Sequence, residues 1–433
     1  MRRAVLKGPI LYRLLISCLG IVLALGLAEL GLRVLPWPPV RYAASYVKVP
    51  PSMQDDLWMS GPPRYAWRVE PGKAEFQPNV DERVRMDEHA GGGWRFHTNN
   101  LGLRRDADTA IQKGPGLFRV LVLGDSHTAG YVDNAENLCA LLEASLSRRL
   151  AADGRRAEVL NGGVDGYGPR DYLRWYRENG AQLQPDLVLV VYYVGNDLVW
   201  WEGDRLHRIF TEPWRSRLVL NGSGEPIQLL RDLRLLWVAR NMSYDGPLNM
   251  LWRRLFADDD RFIQVLRTCP GCYAQSLNQT ADAPHEPRAL EQAFGDTADI
   301  LTQLGREVGA SGGDSAVALL PTRYQVEPDL AAEVYRRTAA LLGLGEADLD
   351  FDDEVSRGML DRLTATGVTT FSLKGPLRAV RTGEPLYYER DWHLNALGHR
   401  VAALALDEQL TRLGLLPPGP ERARPARTTP GTS

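Results

Sequence analysis

Short apolar runs alternate with amphipathic segments along residues 118–413 of this 433-residue chain. The apolar runs predict strands at 118–123, 158–160, 187–193, 315–320 and 368–371. The third run is apolar at nearly every position, which is typical of a strand that is buried on both faces. Apolar residues at helical spacing predict helices at 137–150, 170–177, 289–308, 330–342, 354–363 and 394–413. This alternation predicts an α/β fold in which helices cover both faces of a parallel sheet.

The first 35 residues have the pattern of a membrane anchor. Three basic residues precede an apolar run at 11–35, in which Arg13 can extend toward the headgroups. With its flanks, the run reaches the length of about 20 residues that a span requires. The positive flank should stay cytoplasmic, which predicts a single-pass protein whose residues after Pro36 lie on the opposite side of the membrane. A signal peptide cleaved near Ala28 remains an alternative, whereas apolar sequence beyond Cys18 disfavours a lipoprotein site.

Composition divides the rest of the chain into three parts. Residues 36–115 are rich in Pro, Gly, Trp and charge without a sustained period, so we interpret them as a stalk and a lead-in. Residues 116–412 hold the α/β domain, interrupted at 200–285 by a tryptophan-rich insertion that we expect to pack beside the functional site. The tail at 413–433 is predicted to be disordered, since Arg, Pro, Thr and Gly dominate it.

Charge and cysteine content exclude several classes of function. The net charge is −3 and the arginines form no basic stripe with stacking aromatics, so no nucleic-acid partner is predicted. The loop from Cys269 to Cys272 invites three interpretations. A zinc site would need a second pair of ligands, and a redox site would need the loop between a strand and a helix. A local disulfide fits best if this region lies outside the cytosol.

Four short motifs carry the candidate chemistry. Ser126 follows the first strand in Gly-Asp-Ser-His-Thr, Gly166 lies in a glycine-rich loop after the second, and Asn196 follows the third. Asp391 and His393 come just before the last helix. Ligands bind at the carboxyl ends of the strands in such sheets. Each motif alone is also explained as a helix cap or a tight turn, but all four fall in order at strand ends or before helices.

The chemistry of these residues fits nucleophilic catalysis. A carboxylate two residues from a histidine can orient the imidazole, which then accepts a serine proton. The glycines of the loop 161–168 allow backbone N–H groups to approach an oxygen closely. The Asn196 amide can donate to a developing oxyanion. His399 has no nearby acid in sequence, so we interpret it as a packing residue or as one that supports the site from outside.

This arrangement resembles the SGNH hydrolase superfamily, also called the GDSL hydrolases, over about residues 95–412. The stretches 97–104 and 391–400 are similar to a membrane-anchored bacterial branch of that superfamily. The resemblance implies a flavodoxin-like three-layer αβα sandwich with about five parallel strands, and no metal or diffusible cofactor. Two departures stand out: Arg390 occupies the position three before the histidine where many members have their acid, and His127 replaces the usual leucine.

The resemblance also implies a role for each motif. Ser126 would be the nucleophile, His393 its base and Asp391 the residue that fixes the imidazole tautomer. The oxyanion hole would comprise the Ser126 N–H, the Gly166 N–H and the Asn196 side chain.

Three functions follow as hypotheses. The first is an ester hydrolase that acts outside the cytosol on an acylated glycan or lipid. The second is a polysaccharide O-acyltransferase that uses the same triad. The third is a catalytically silent glycan-binding or assembly protein, which the intact Ser126, Asp391, His393 and Asn196 disfavour.

Overall fold

The computed structural model describes residues 16–17, 19–27, 67–70, 73–198, 265, 268–283, 287–380 and 383–417. Residues 16–17 and 19–27 are helical and belong to one compact unit, and the other described residues belong to a second. In the described part of the chain, no helix is both long and apolar enough to cross a membrane. The rest of the predicted anchor, most of the predicted insertion and the tail from 418 onward lie outside the described residues.

A five-stranded parallel sheet forms the centre of the second unit. The nine described strands in chain order are β1 (Trp67–Glu70), β2 (Lys73–Phe76), β3 (Asp81–Arg85), β4 (Gly93–His97), β5 (Leu117–Gly124), β6 (Arg156–Asn161), β7 (Leu187–Tyr193), β8 (Asp314–Leu320) and β9 (Thr369–Ser372). The last five form the central sheet in the order β6-β5-β7-β8-β9, and every neighbouring pair is parallel. The predicted parallel α/β sheet and its five strands are confirmed.

Eleven helices accompany these strands in the described part of the second unit. They are α1 (Ser126–Ala129), α2 (Leu138–Leu150), α3 (Pro169–Trp175), α4 (Pro270–Cys272), α5 (Asn278–Asp282), α6 (Pro287–Ala310), α7 (Arg323–Val326), α8 (Pro328–Leu342), α9 (Phe351–Ala365), α10 (Lys374–Val380) and α11 (Ala396–Arg412). One π-turn, Tyr176–Gly180, extends α3, and another, Tyr273–Leu277, joins α4 to α5.

The strands alternate their side chains between two apolar layers. Val122 and Leu189 point into one core, which α2 and α11 close. Leu123 and Val190 point into the other core, which α3, α6 and α9 close. Because both faces of β5 and β7 are buried, their sequences are apolar throughout rather than at every second position. The result is the three-layer αβα arrangement that the sequence predicted.

The segment before the sheet is more regular than expected. Within residues 36–115, which we interpret from the sequence as a stalk and a lead-in, β1 pairs with β2 and β3 pairs with β4, both antiparallel. The strands are short, and β3 buries only Val84, so no periodic pattern emerges from its charged sequence. Trp94 and Phe96 of β4 are buried in the same core as β5 and β7. The β3–β4 hairpin is therefore part of the folded domain. Helix α10 was also not predicted.

Candidate active site

Ser126 lies at the end of the central strand β5. The side chain of Asp125 caps α1 by accepting a hydrogen bond of 2.9 Å from the His127 N–H. A side chain at Gly124 would collide with Thr128, so glycine is required for this abrupt turn from strand to helix. Ser126 is therefore the first residue of a helix at the carboxyl edge of the sheet, where it is 4% exposed.

A continuous hydrogen-bond chain joins Ser126, His393 and Asp391. The Ser126 Oγ lies 2.7 Å from His393 Nε2, and His393 Nδ1 lies 2.5 Å from Asp391 Oδ1. The His393 backbone N–H also donates to Asp391 Oδ1 at 3.2 Å. All three side chains are almost completely buried. The structure thus brings together a hydroxyl and an acid–base pair that are 267 positions apart in sequence.

Asp391 sets the protonation of His393. Burial alone would lower the pKa of the imidazole. The charge of Asp391 and its hydrogen bond, together with the charges of Asp125 and Asp165, outweigh this effect, so the pKa of His393 is raised above its ordinary value of 6.5. With Nδ1 donating to the carboxylate, a neutral His393 presents Nε2 as the acceptor for the Ser126 proton. This is the geometry that general-base activation of a serine requires.

Trp392, between the acid and the base, has an unusual backbone conformation. Its φ is +70°, in the left-handed region that bulky residues rarely occupy. Its indole is fully buried and stacks near Tyr335, with the Arg323 guanidinium 5.5 Å from the ring centre. This conformation buries the indole in a separate core while Asp391 and His393 remain hydrogen-bonded to each other. Such a φ costs about 1–3 kcal/mol and persists only where the surroundings enforce it.

The three predicted oxyanion donors have different surroundings. The Ser126 N–H, the exposed Gly166 N–H and the half-buried Asn196 amide have no hydrogen-bond acceptor among the described residues. Gly166 has a φ of +77°, which a residue with a side chain adopts at a cost. All three groups remain able to donate to a ligand, and their joint role as an oxyanion hole stays a prediction.

The other two histidines of the sequence motifs have structural surroundings. His127 is fully buried, its Nε2 lies 3.2 Å from Gln275 Oε1, and it stacks on Tyr193 at 3.7 Å. His127 therefore does not face solvent. Burial and the nearby His393 hold the pKa of His127 well below 6.5. His399 is buried and accepts from the Leu138 N–H at 3.3 Å, and burial lowers its pKa to about 3.

Buried carboxyl groups surround the site, and the sequence analysis missed them. Asp125, Asp165 and Asp197 each adjoin a predicted site residue, namely Ser126, Gly166 and Asn196. Burial raises the pKa of Asp125 to about 6 and that of Asp165 to about 7. Burial and the nearby Asp125 raise the pKa of Asp197 well above its ordinary value. Their position beside the motif residues was the available signal, since an Asp in a tight loop after a buried strand is difficult to solvate.

The lead-in segment also supports the site. The buried Arg104 guanidinium donates to the Gly130 and Val132 carbonyl oxygens, both at 2.9 Å, and so fixes the chain that follows α1. Tyr131 in this stretch lies 4.0 Å from the His393 ring on one side and 5.1 Å from the Trp94 ring on the other. The residues downstream of Ser126 are therefore held by the segment that precedes the sheet. Among the described residues, no group of three or more His, Cys, Asp or Glu side chains could hold a metal ion.

Part of this chain matches a known family. Residues 280–431, about a third of the chain, match the family model described as "SGNH hydrolase-like domain, acetyltransferase AlgX". This segment contains Asp391 and His393 but not Ser126. No curated protein sequence matches the chain.

Several solved structures are similar to the chain at low sequence identity. An acetyl xylan esterase, AlAXEase, is 11% identical over 68% of this chain and 100% of its own, with a TM-score of 0.36. The lipase/acylhydrolase from Enterococcus faecalis is 13% identical over 71% and 100%, with a TM-score of 0.34. An acetylxylan esterase from Geobacillus stearothermophilus is 15% identical over 69% and 94%, with a TM-score of 0.33.

Proposed function

We propose that this protein cleaves acyl esters through an acyl-serine intermediate on Ser126. The hydrogen-bond chain from the Ser126 Oγ through His393 to Asp391 carries this proposal. A buried serine that only stabilised the fold would not require a histidine that a carboxylate holds in one tautomer. This intact hydrogen-bond chain disfavours the hypothesis of a catalytically silent binding protein.

Each step of the reaction has a residue to perform it. The Ser126 Oγ attacks the ester carbonyl carbon while His393 Nε2 takes the Oγ proton. The tetrahedral intermediate then collapses, the ester C–O bond breaks, and His393 returns the proton to the leaving oxygen. A second hydroxyl compound next attacks the acyl-serine, His393 takes its proton, and the Ser126 Oγ leaves with that proton. Asp391 stabilises the imidazolium that forms in both halves.

The oxyanion of each tetrahedral intermediate would be bound by the Ser126 N–H, the Gly166 N–H and the Asn196 amide. Removal of one such donor typically lowers kcat by about 10²–10³-fold. The free donor capacity of these groups supports this assignment.

We propose hydrolysis, with water as the second hydroxyl compound, as the primary activity. The substrate would be an acylated glycan or lipid outside the cytosol, with the chain anchored in a bacterial inner membrane by its N-terminal apolar run. The disulfide between Cys269 and Cys272 supports this location, because disulfides persist mainly in oxidising compartments.

O-acyl transfer to a glycan hydroxyl is the second candidate, because the family model that matches residues 280–431 is described as an acetyltransferase. The chemistry is the same up to the acyl-serine, and the two activities differ only in the acceptor.

Two measurements on the full-length protein test these proposals. A fluorophosphonate probe should label wild-type protein, and Ser126→Ala should abolish labelling; an unlabelled wild type would refute acyl-serine chemistry. With 4-nitrophenyl acetate as donor, release of acetate should exceed transfer to a panel of oligosaccharides. Transfer that outpaces acetate release would overturn hydrolysis in favour of the second candidate.

A further inference from the structure

The segment Cys269–Asp282 lies against the loops that carry the proposed catalytic groups. It belongs to the tryptophan-rich insertion predicted at 200–285. Its first turn is closed by the disulfide between Cys269 and Cys272. Most of its residues are buried, and it adds no strand to the sheet.

Three contacts connect this segment to three separate site loops. At its start, the Gly271 N–H donates to the Arg390 carbonyl oxygen at 2.9 Å, beside Asp391. A side chain at Gly271 would collide with that same oxygen. In the middle, Gln275 Oε1 lies 3.2 Å from Nε2 of His127, the residue after Ser126. Near the end, Gln279 contacts the loop that carries Asn196.

The contact made by Gln279 is the most specific of the three. Its Nε2 donates to the Val194 carbonyl oxygen at 2.8 Å, and its Oε1 accepts from the Leu198 N–H at 3.0 Å. Both ends of the loop around Asn196 are thus held by one amide that is 4% exposed. A buried amide that is paired at both its donor and its acceptor has one orientation, and so it fixes the two backbone groups relative to each other.

Within the part of the chain that the structure describes, no hydrogen bond holds the Asn196 side chain itself. Asp197 accepts from the Tyr193 N–H and the Tyr172 hydroxyl, both at 2.8 Å, which anchors the loop beneath Asn196. Gly195 lies so close to the Gln275 carbonyl oxygen that any side chain there would collide with it. The direction of the Asn196 amide therefore depends on the backbone that Gln279 brackets.

We propose that Gln279 is a positioning residue for the oxyanion hole, which keeps the Asn196 amide directed at the reacting carbonyl. This inference rests on the proposed function. Gln279 touches no reacting atom and acts through the loop 194–198. Its contribution is therefore to the transition state and not to substrate binding, because an oxyanion donor acts on charge that develops during the reaction.

A double-mutant cycle on the full-length protein tests this role. Gln279→Leu removes both hydrogen bonds with little change in volume, and we expect kcat to fall at least tenfold while KM stays within twofold. Asn196→Ala should lower kcat by about 10²–10³-fold. In the Asn196→Ala background, Gln279→Leu should cause no further loss of kcat, because the donor that Gln279 positions is already absent. An unchanged kcat, or the same loss in both backgrounds, would refute the positioning role.

Ser276→Ala is the matched control. Ser276 lies on the same segment, and its hydroxyl bonds to Asp352 at 2.6 Å and to the Tyr335 hydroxyl at 2.8 Å; neither partner belongs to one of the three site loops. We expect lower thermal stability with kcat within twofold of wild type; a loss of kcat equal to that of Gln279→Leu would indicate general loosening and refute the proposal. If Gln279→Leu does not fold, Gln279→Glu replaces it, since it keeps the acceptor for the Leu198 N–H and loses the donor to Val194. The double-mutant cycle with Asn196→Ala is then run with Gln279→Glu, and the same outcomes support or refute the positioning role.

The failure of this inference is distinguishable from failure of the proposed function. A wild-type protein without ester cleavage and without fluorophosphonate labelling would refute acyl-serine chemistry itself. An active, labelled wild type without coupling between Gln279 and Asn196 would refute only the positioning role.

Discussion

The indole of Trp94 stacks on the ring of Tyr131, with 5.1 Å between the ring centres and 11° between the planes. Tyr131 in turn lies 4.0 Å from the His393 ring, so Trp94 packs against a ring that itself packs against the imidazole. The contact joins a hairpin that precedes the sheet to the loop that follows Ser126. The position of His393 therefore depends on residues that the sequence pattern assigned to a lead-in.

Trp94→Ala should destabilise the domain and lower activity. Trp94 is completely buried, and truncation of a buried aromatic residue costs roughly 3–5 kcal/mol. We expect the free energy of unfolding in urea to fall by about that amount and kcat to fall with it, because Tyr131 loses the surface that holds it against His393. Trp94→Phe keeps a stacking ring and should retain most of the free energy of unfolding and most of kcat. A loss of less than about 1 kcal/mol for Trp94→Ala would show that the hairpin does not contribute to the core.

Activity should depend on pH through His393. The protonated imidazole cannot accept the Ser126 proton, so kcat/KM should fall as the pH drops through the pKa of His393. Because that pKa is raised, the fall should begin above pH 6.5. A pH profile of 4-nitrophenyl acetate hydrolysis measures it.

Asp391→Asn tests the cause of this shift. Without the charge of Asp391 the pKa of His393 should decrease, so the acidic limb should move to lower pH. The maximal kcat should also fall by a factor on the order of 10⁴, since Asn favours the wrong tautomer. Asp407→Asn is the control, because Asp407 pairs with Arg149 and Ser145, neither of which belongs to this hydrogen-bond chain. An acidic limb that does not move in Asp391→Asn would contradict the assignment of Asp391.

The sequence predicted the parts of the fold that depend on local pattern. The strand Leu187–Tyr193 is buried at every position, so its apolar run was sufficient to identify it. Ser126 and His393 were identified because each lies in a short motif at the end of an element. In contrast, β3 carries charge at four of its five positions and has no local signature.

The supporting contacts could not be predicted in this way. Gln279 contacts residues 81 and 85 positions away, and Trp94 contacts a residue 37 positions away, through pairings that only the folded chain creates. Nothing in the sequence around Gln279 distinguishes its amide from an exposed one. Residues that carry out chemistry recur in short motifs, whereas those that position them are determined by tertiary packing.

Gly271→Ala should lower catalysis more than stability. A Cβ at this position would collide with the Arg390 carbonyl oxygen and approach the Asp391 carbonyl carbon at 2.6 Å, so the loop that carries the acid must move. A displacement of about 1 Å in a catalytic group can cost on the order of 10²-fold in rate. We expect kcat to fall at least tenfold, as measured at saturating substrate. Gly295→Ala, in the open middle of α6, is the matched control and should be neutral or stabilising by up to about 1 kcal/mol. Equal effects on kcat from the two substitutions would contradict the prediction.

Stability should fall as pH rises because of the buried Asp352. Its carboxyl accepts from the hydroxyls of Ser276 at 2.6 Å and Thr322 at 2.9 Å, and burial raises its pKa from 3.8 to about 7. Between these two pH values, Asp352 therefore holds a proton in the folded state that it has released in the unfolded state. The stabilisation is fully present below pH 3.8 and is lost as the pH rises through about 7. Asp352→Asn is neutral throughout this range, so its free energy of unfolding should depend less on pH between 4 and 8. Urea unfolding at several pH values measures both slopes, and parallel slopes would show that Asp352 is ionised in the folded protein.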